Sequence, residues 1–133
     1  MTGQRGTALI LDIDETVLIG LERLLEDDGV QTTTTWDARE ALALLRSRHY
    51  DVVLLAEHPP EINCKQFLRQ LRAGGDRTPT VVLQSAPRHP FETRYLQSLG
   101  TYAVVSKRNP QQIAQAVRKC VSQPDGRQLA AAA

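Results

Sequence analysis

The sequence predicts one α/β domain in which a five-stranded parallel sheet carries helices on both faces. Three observations predict it: five short apolar runs, segments of helical periodicity between them, and runs such as VVLL and VVL with no polar alternation. A strand solvated on one face alternates apolar and polar residues. Unbroken apolar runs therefore imply burial on both faces, which helices on either side of a parallel sheet provide. At 133 residues the chain has room for one sizeable core.

The strands are expected at Thr7 to Leu11, Val30 to Thr35, Val52 to Leu55, Thr80 to Leu83 and Ala103 to Val105, most of them rich in Val, Ile, Leu or Thr. The first helix should follow Thr16, with Leu18, Leu21 and Leu25 on one face. The second should begin at Asp37, where Asp37 and Glu40 have capping-box spacing and Ala38, Ala41, Leu42 and Leu45 form the inward stripe. A third is expected from Asn63, burying Phe67, Leu68 and Leu71 until AGGDRTP breaks it; a fourth lies near Phe91 to Leu99. The fifth has Asn109 as N-cap, Pro110 at the first helical position, Gln112 as reciprocal cap, and Ile113, Val117 and Val121 inward. The domain is thus expected over residues 7–122, with a disordered N-terminus at 1–6 and a flexible tail or linker at 123–133.

Hydrophobic residues make up 41% and charged residues 23%, which excludes intrinsic disorder and fibrous repeats. Sixteen basic against fifteen acidic residues leave a formal charge of +1, so bulk charge offers no footprint for nucleic acid or an anionic membrane. No apolar stretch is long enough to span a bilayer and the polar start lacks a secretory signal, so a cytoplasmic protein is expected. Cys64 and Cys120 stand far apart and outside any metal-ligand pattern, which points to packing roles.

In a parallel α/β sheet, ligands bind at the carboxyl ends of the strands near the switch in strand order. Those ends present Asp12 with Asp14, Ala56 with Glu57, Gln84 with Ser85, and Ser106 with Lys107. With this alternation of elements, the strings DVVLLAEHPPEIN, TPTVVLQSA and GTYAVVSKRNP resemble the receiver domain of bacterial two-component response regulators over about Thr7 to Val121. The resemblance implies a flavodoxin-like (βα)5 fold. It further implies a pocket in which a carboxylate pair after the first strand holds Mg²⁺, an Asp ending the third strand accepts a phosphoryl group, a Thr or Ser ends the fourth strand, and a Lys ends the fifth. Phosphoryl transfer is positioning plus charge neutralisation, so the nucleophile needs a metal and a cation opposite the phosphoryl oxygens.

Carried over position by position, Lys107 falls on the family lysine and Asp12 on the first acid. Ala56, five residues after Asp51 and four before Pro60, takes the phosphoacceptor position and has no nucleophile. Ile13 takes the second acid, with Asp14 one place beyond; Gln84 takes the Thr or Ser, and Val104 the aromatic that reorients in switching. Glu57 reaches the acceptor position only by a one-residue slip, which would reverse Val52 to Leu55 across the sheet. The expectation is a pseudo-receiver: not an enzyme, with weak or absent Mg²⁺ binding and no other cofactor, and with Asp12 and Lys107 paired structurally. Its partner would be a protein or an appended effector domain in a phosphorelay, or a second copy in a homodimer. In intact receivers the face of the fourth helix, fifth strand and fifth helix makes such contacts, which implies Pro90, Phe91, Tyr95, Val104, Gln111 and Gln112 here.

A second resemblance competes for the first strand. ILDIDETVL is similar to the opening motif of haloacid dehalogenase-type phosphatases, implying Asp12 as nucleophile and Asp14 as acid/base, with Ser85 and Lys107 as phosphate-binding groups. That family's fourth motif needs an acidic pair after a further strand, and Asp125 is the only acid after Lys107. His49, His58 and His89 sit beside expected turns and read as solvated residues, His58 lying closest to the pocket. Trp36 reads as a packing anchor or staple before a helix cap. Arg69, Arg72, Arg77, Arg88, Arg94, Lys107 and Arg108 give the middle and later loops a basic, solvated surface.

Overall fold

A computed structural model describes residues 6–58, 61–86 and 89–122. The elements run β1 (Gly6–Leu11), α1 (Glu15–Asp27), β2 (Val30–Thr35), α2 (Ala38–Ser47), β3 (Val52–Ala56), α3 (Cys64–Ala73), β4 (Thr80–Gln84), α4 (Pro90–Ser98), β5 (Thr101–Ser106) and α5 (Pro110–Ser122). The strands form one parallel sheet in the order β2-β1-β3-β4-β5. This is the flavodoxin-like (βα)5 architecture.

The strand period of two divides the core. Ala8, Ile10, Val52, Leu54, Ala56, Val81 and Leu83 face α1 and α5; Leu9, Leu11, Val53, Leu55 and Val82 face α2, α3 and α4. β3 lies at the centre and all five of its residues are buried, which is why VVLLA shows no alternation. Cys64 and Cys120 are buried and form no disulfide, so both are packing residues as expected. Burial pushes the Cys120 thiol up to about 12, with nearby Asp51 adding to the effect.

The ends differ from the sequence reading where local caps decide. β1 takes in Gly6, which was expected in the disordered N-terminus; the expectations for residues 1–5 and 123–133 fall outside the described residues. α1 starts at Glu15 because the Asp14 carboxylate accepts from the N–H groups of Thr16 and Val17. Asp37 and Asn109 cap as expected and Asn63 caps α3, but the two expected reciprocal bonds do not form. The Asp37 N–H donates to Thr35 Oγ1, not to Glu40, and the Asn109 N–H donates to the Ser106 carbonyl, not to Gln112. β5 begins two residues early, since Thr101 pairs with Thr80, and a register shift leaves Tyr102 unmatched at this edge strand.

Two expectations about side chains are corrected. Trp36 is 73% exposed, so it staples nothing among the described residues. Arg72 is no solvated surface group. Its guanidinium donates to the carbonyls of Leu99, Asp76, Thr78 and Gly100 and to Thr80 Oγ1, tying the end of α3 to the starts of β4 and β5. Arg88 lies outside the described residues.

Candidate functional site

β1 pairs with both β2 and β3, so the strand order reverses there, and the carboxyl ends of β1 and β3 are where a sheet of this kind presents its ligand site. Register places Leu11 opposite Leu55, which sets Asp12 beside Ala56. The Asp12 N–H donates to the Thr35 carbonyl at 3.1 Å and the Lys107 N–H to the Gln84 carbonyl at 2.9 Å. The sheet ladder thus fixes the backbones of both charged residues.

Asp12 is fully buried. Its Oδ1 accepts from the Asp14 N–H at 2.9 Å and lies 2.5 Å from His58 Nε2; its Oδ2 accepts no hydrogen bond but faces Lys107 Nζ at 3.4 Å. His58 Nε2 is also 2.5 Å from Lys107 Nζ. One ring nitrogen either donates or accepts, so His58 Nε2 cannot serve both contacts in the same role, and Asp12, His58 and Lys107 form one cluster and not three independent pairs. A buried carboxylate without such partners would cost several kcal/mol. The expected Asp12–Lys107 pair is present. The reading of His58 as a solvated turn residue is corrected, because tertiary folding brings the imidazole back over the end of β3.

The other candidates sit around this cluster without joining it. Ala56 ends β3 with its methyl in the core beneath α1 and α5. Ile13 is 40% exposed and has no donor atom to offer. Asp14 is engaged as the α1 cap. Gln84 is half-buried with Oε1 unpartnered, and Ser85 is exposed beyond the end of β4. Glu57 follows the strand half-buried and is itself engaged, while Val52–Ala56 keep their unslipped register. Val104 is half-buried against the core beneath α2, α3 and α4.

The donor set does not fit the divalent cation of an intact pocket. A hard cation of this kind takes about six oxygen ligands at close range. Here Asp12 is the one fully buried carboxylate among the described residues, and nitrogen atoms already face both of its oxygens. No group of three or more His, Cys, Asp or Glu suited to a metal occurs among the described residues.

Residues 8–118 match the family profile of the response regulator receiver domain. The chain belongs to that family. It is 37% identical over 75 residues to the response regulator MprA of Mycolicibacterium vanbaalenii, a match covering 56% of this chain and 32% of that protein. It is 32% identical over 102 residues to the sensory/regulatory protein RpfC of Xanthomonas campestris, covering 74% of this chain and 14% of that one. The chain therefore spans a third or less of these relatives. The receiver domain of Francisella response regulator 1452 superposes with a TM-score of 0.80 at 21% identity, covering 87% of this chain and 96% of that one.

Nothing found supports the phosphatase alternative. In this receiver domain Asp14 is spent on capping α1 and does not stand beside Asp12 as a proton donor. On the expected interaction face, Phe91 is 67% exposed, Tyr95 and Tyr102 are exposed, and Pro90, Gln111 and Gln112 are solvent-facing. Val104 does not join them at the surface. The His89 ring stacks on Phe91 at 5.0 Å and caps α4 through Nδ1, and Arg94 Cζ sits 4.9 Å over the same ring. His49 pairs with Asp51 at 3.1 Å, just before the amino end of β3 and thus at the opposite end of that strand from Ala56.

His58 and Arg72 are the residues that sequence reasoning missed. For His58 a signal existed: residues 52, 54, 56 and 58 share the strand period, so a side chain two places beyond Ala56 returns to the same side of the sheet. Arg72 gave no local signal.

Proposed function

We propose that this receiver domain is a pseudo-receiver: a phosphorylation-independent signalling module of a two-component phosphorelay that acts by binding protein and catalyses no reaction. The observation that carries the reading is Ala56, a buried methyl at the end of β3 beside the Asp12–Lys107 pair, where the family's transfer chemistry needs an oxygen nucleophile. Ile13 and Gln84 remove the second acid and the hydroxyl as well. The partner is a protein or an effector domain on the same chain, and the exposed aromatics of α4 and β5 are the surface offered to it, by a second copy if the domain dimerises. Neither nucleic acid nor membrane is the proposed target of this domain, in keeping with a balanced charge, and its proposed setting is the cytoplasm. No described helix is long and apolar enough to cross a membrane.

The test is incubation of the chain with Mg²⁺ and a small phosphodonor, followed by intact-mass spectrometry under conditions that preserve acyl phosphates. The expected result is no adduct. An acid-stable or acid-labile phosphate on any side chain of the described core overturns the reading.

A further inference from the structure

We propose that His58 is a built-in occupant of the degenerate pocket: with Lys107 it takes up, against Asp12, the place of a divalent cation. The inference rests on the phosphorylation-independent reading above and names what holds the site in one state. Three observations carry it. The first is position, with Nε2 of His58 at 2.5 Å from both Asp12 Oδ1 and Lys107 Nζ.

The second is that the His58 backbone is fixed by the fold. Its N–H donates to the Ile62 carbonyl at 3.2 Å, and the Ile62 N–H donates back to the His58 carbonyl at 2.9 Å, an antiparallel bridge that closes the neck of the β3–α3 connection. Ile62 is buried in the core and the next residue, Asn63, caps α3. On the other side stands buried Ala56. The imidazole is thus held from both directions and does not hang from a free loop.

The third is the charge balance around Asp12. An intact pocket sets three carboxylates against one lysine and is short of positive charge until a cation arrives. With Ala56 and Ile13 in place, one buried carboxylate faces a lysine and an imidazole, and nothing is left for a metal to neutralise. Nitrogen atoms face both oxygens of Asp12, His58 Nε2 at Oδ1 and Lys107 Nζ at Oδ2. The misfit of the donor set to a hard cation is therefore the designed state of this pocket, with His58 as the part that creates it.

The experiment is an NMR titration of the full chain, first with magnesium chloride alone and then with beryllofluoride added, on the wild type, His58→Ala and His58→Gln. In the wild type the amides of Asp12, Ala56 and Lys107 should not shift saturably. In His58→Ala, Asp12 loses the imidazole that competes for Oδ1, so apparent Mg²⁺ affinity at the same amides should rise at least about tenfold. His58→Gln keeps an N–H donor without the ring and should fall between them; if His58→Ala does not fold, His58→Gln decides on the same readout. Saturable wild-type shifts as tight as those of the variants overturn the proposal, as do variants as silent as the wild type. A phosphate adduct on the wild type would instead remove the reading on which the proposal rests, so the two failures are distinguishable.

Discussion

Replacing Arg72 should cost this domain a large part of its stability while leaving the pocket intact. Its guanidinium donates at 2.7 Å to the Leu99 carbonyl and at 2.9 Å to the Thr78 carbonyl, with longer bonds to Asp76, Gly100 and Thr80. Burial lowers its pKa, Asp76 opposing that effect and Arg77 adding to it, yet a guanidinium keeps its proton in proteins and donates throughout. A hydrogen bond to a charged group is worth about 1.5–3 kcal/mol. Counting only the two short bonds, and treating the longer ones as replaced by water, Arg72→Ala should lose about 3 kcal/mol from a total typically of about 5–15 kcal/mol. At this chain length that is a fall in Tm of roughly 10–15 °C. Arg72→Lys retains charge and stem but offers one nitrogen where the fork reaches five acceptors, so it should recover less than half of the loss. Urea unfolding followed by circular dichroism measures both variants at unchanged slope. If Arg72→Lys unfolds within about 0.5 kcal/mol of the wild type, the fork geometry contributes nothing and the reasoning fails.

Two further outcomes follow from packing between α5 and the amino end of the sheet. In Gly6→Ala, a Cβ would stand 2.6 Å from Asp51 Oδ2 and 2.9 Å from Val121, in a strand where Asp51 is already committed to the Thr7 N–H; a loss of about 1–3 kcal/mol in urea unfolding is expected, and a neutral result would show that the β1–α5 contact gives freely. The Cys120 thiol, ordinarily near 9.0, is pushed up to about 12 by burial, so the folded state retains a proton that the unfolded chain releases. That stability is complete below about pH 9 and is lost as pH rises towards 12, and the alkaline fall in urea midpoint should be shallower in Cys120→Ala.

The parts of the fold that were legible in the sequence are those decided locally. Sheet strands buried on both faces write unbroken apolar runs, and side-chain caps at Asp37, Asn63 and Asn109 mark helix starts within three residues of the bond they make. The strand ends were legible for the same reason, which is why Asp12, Ala56, Gln84 and Lys107 were found together. What stayed hidden depends on long-range closure. Arg72 meets Leu99 and Gly100 across 27 and 28 residues, and His58 meets Lys107 across 49. Trp36 misled in the opposite direction, because a large apolar side chain before a cap signals a staple only if a partner rises to meet it, and here it stands in solvent. Asp14 was visible as an acid, but one residue of frame separates a catalytic carboxylate from a helix cap, and only the bonds to Thr16 and Val17 decide between them.

A pseudo-receiver of the proposed kind would have to switch by a route other than phosphorylation. In an intact receiver the phosphoryl group and its cation supply the differential free energy between two conformations; a pocket filled, as proposed, by His58 and Lys107 would have no ligand to supply it. Val104, in place of a reorienting aromatic, is packed against the core beneath α2, α3 and α4 and has no ring to move. Any bias between states must then enter at the outer surface. A partner on the Phe91, Tyr95 and Tyr102 face would need roughly 10⁴-fold preference for one state to reverse a population of about 1:99. A weaker preference leaves the domain in whichever state its core already favours. A scaffold that partners recognise in one fixed conformation meets the same geometry with no such demand, and that makes constitutive docking the simpler use of a receiver whose pocket fills itself.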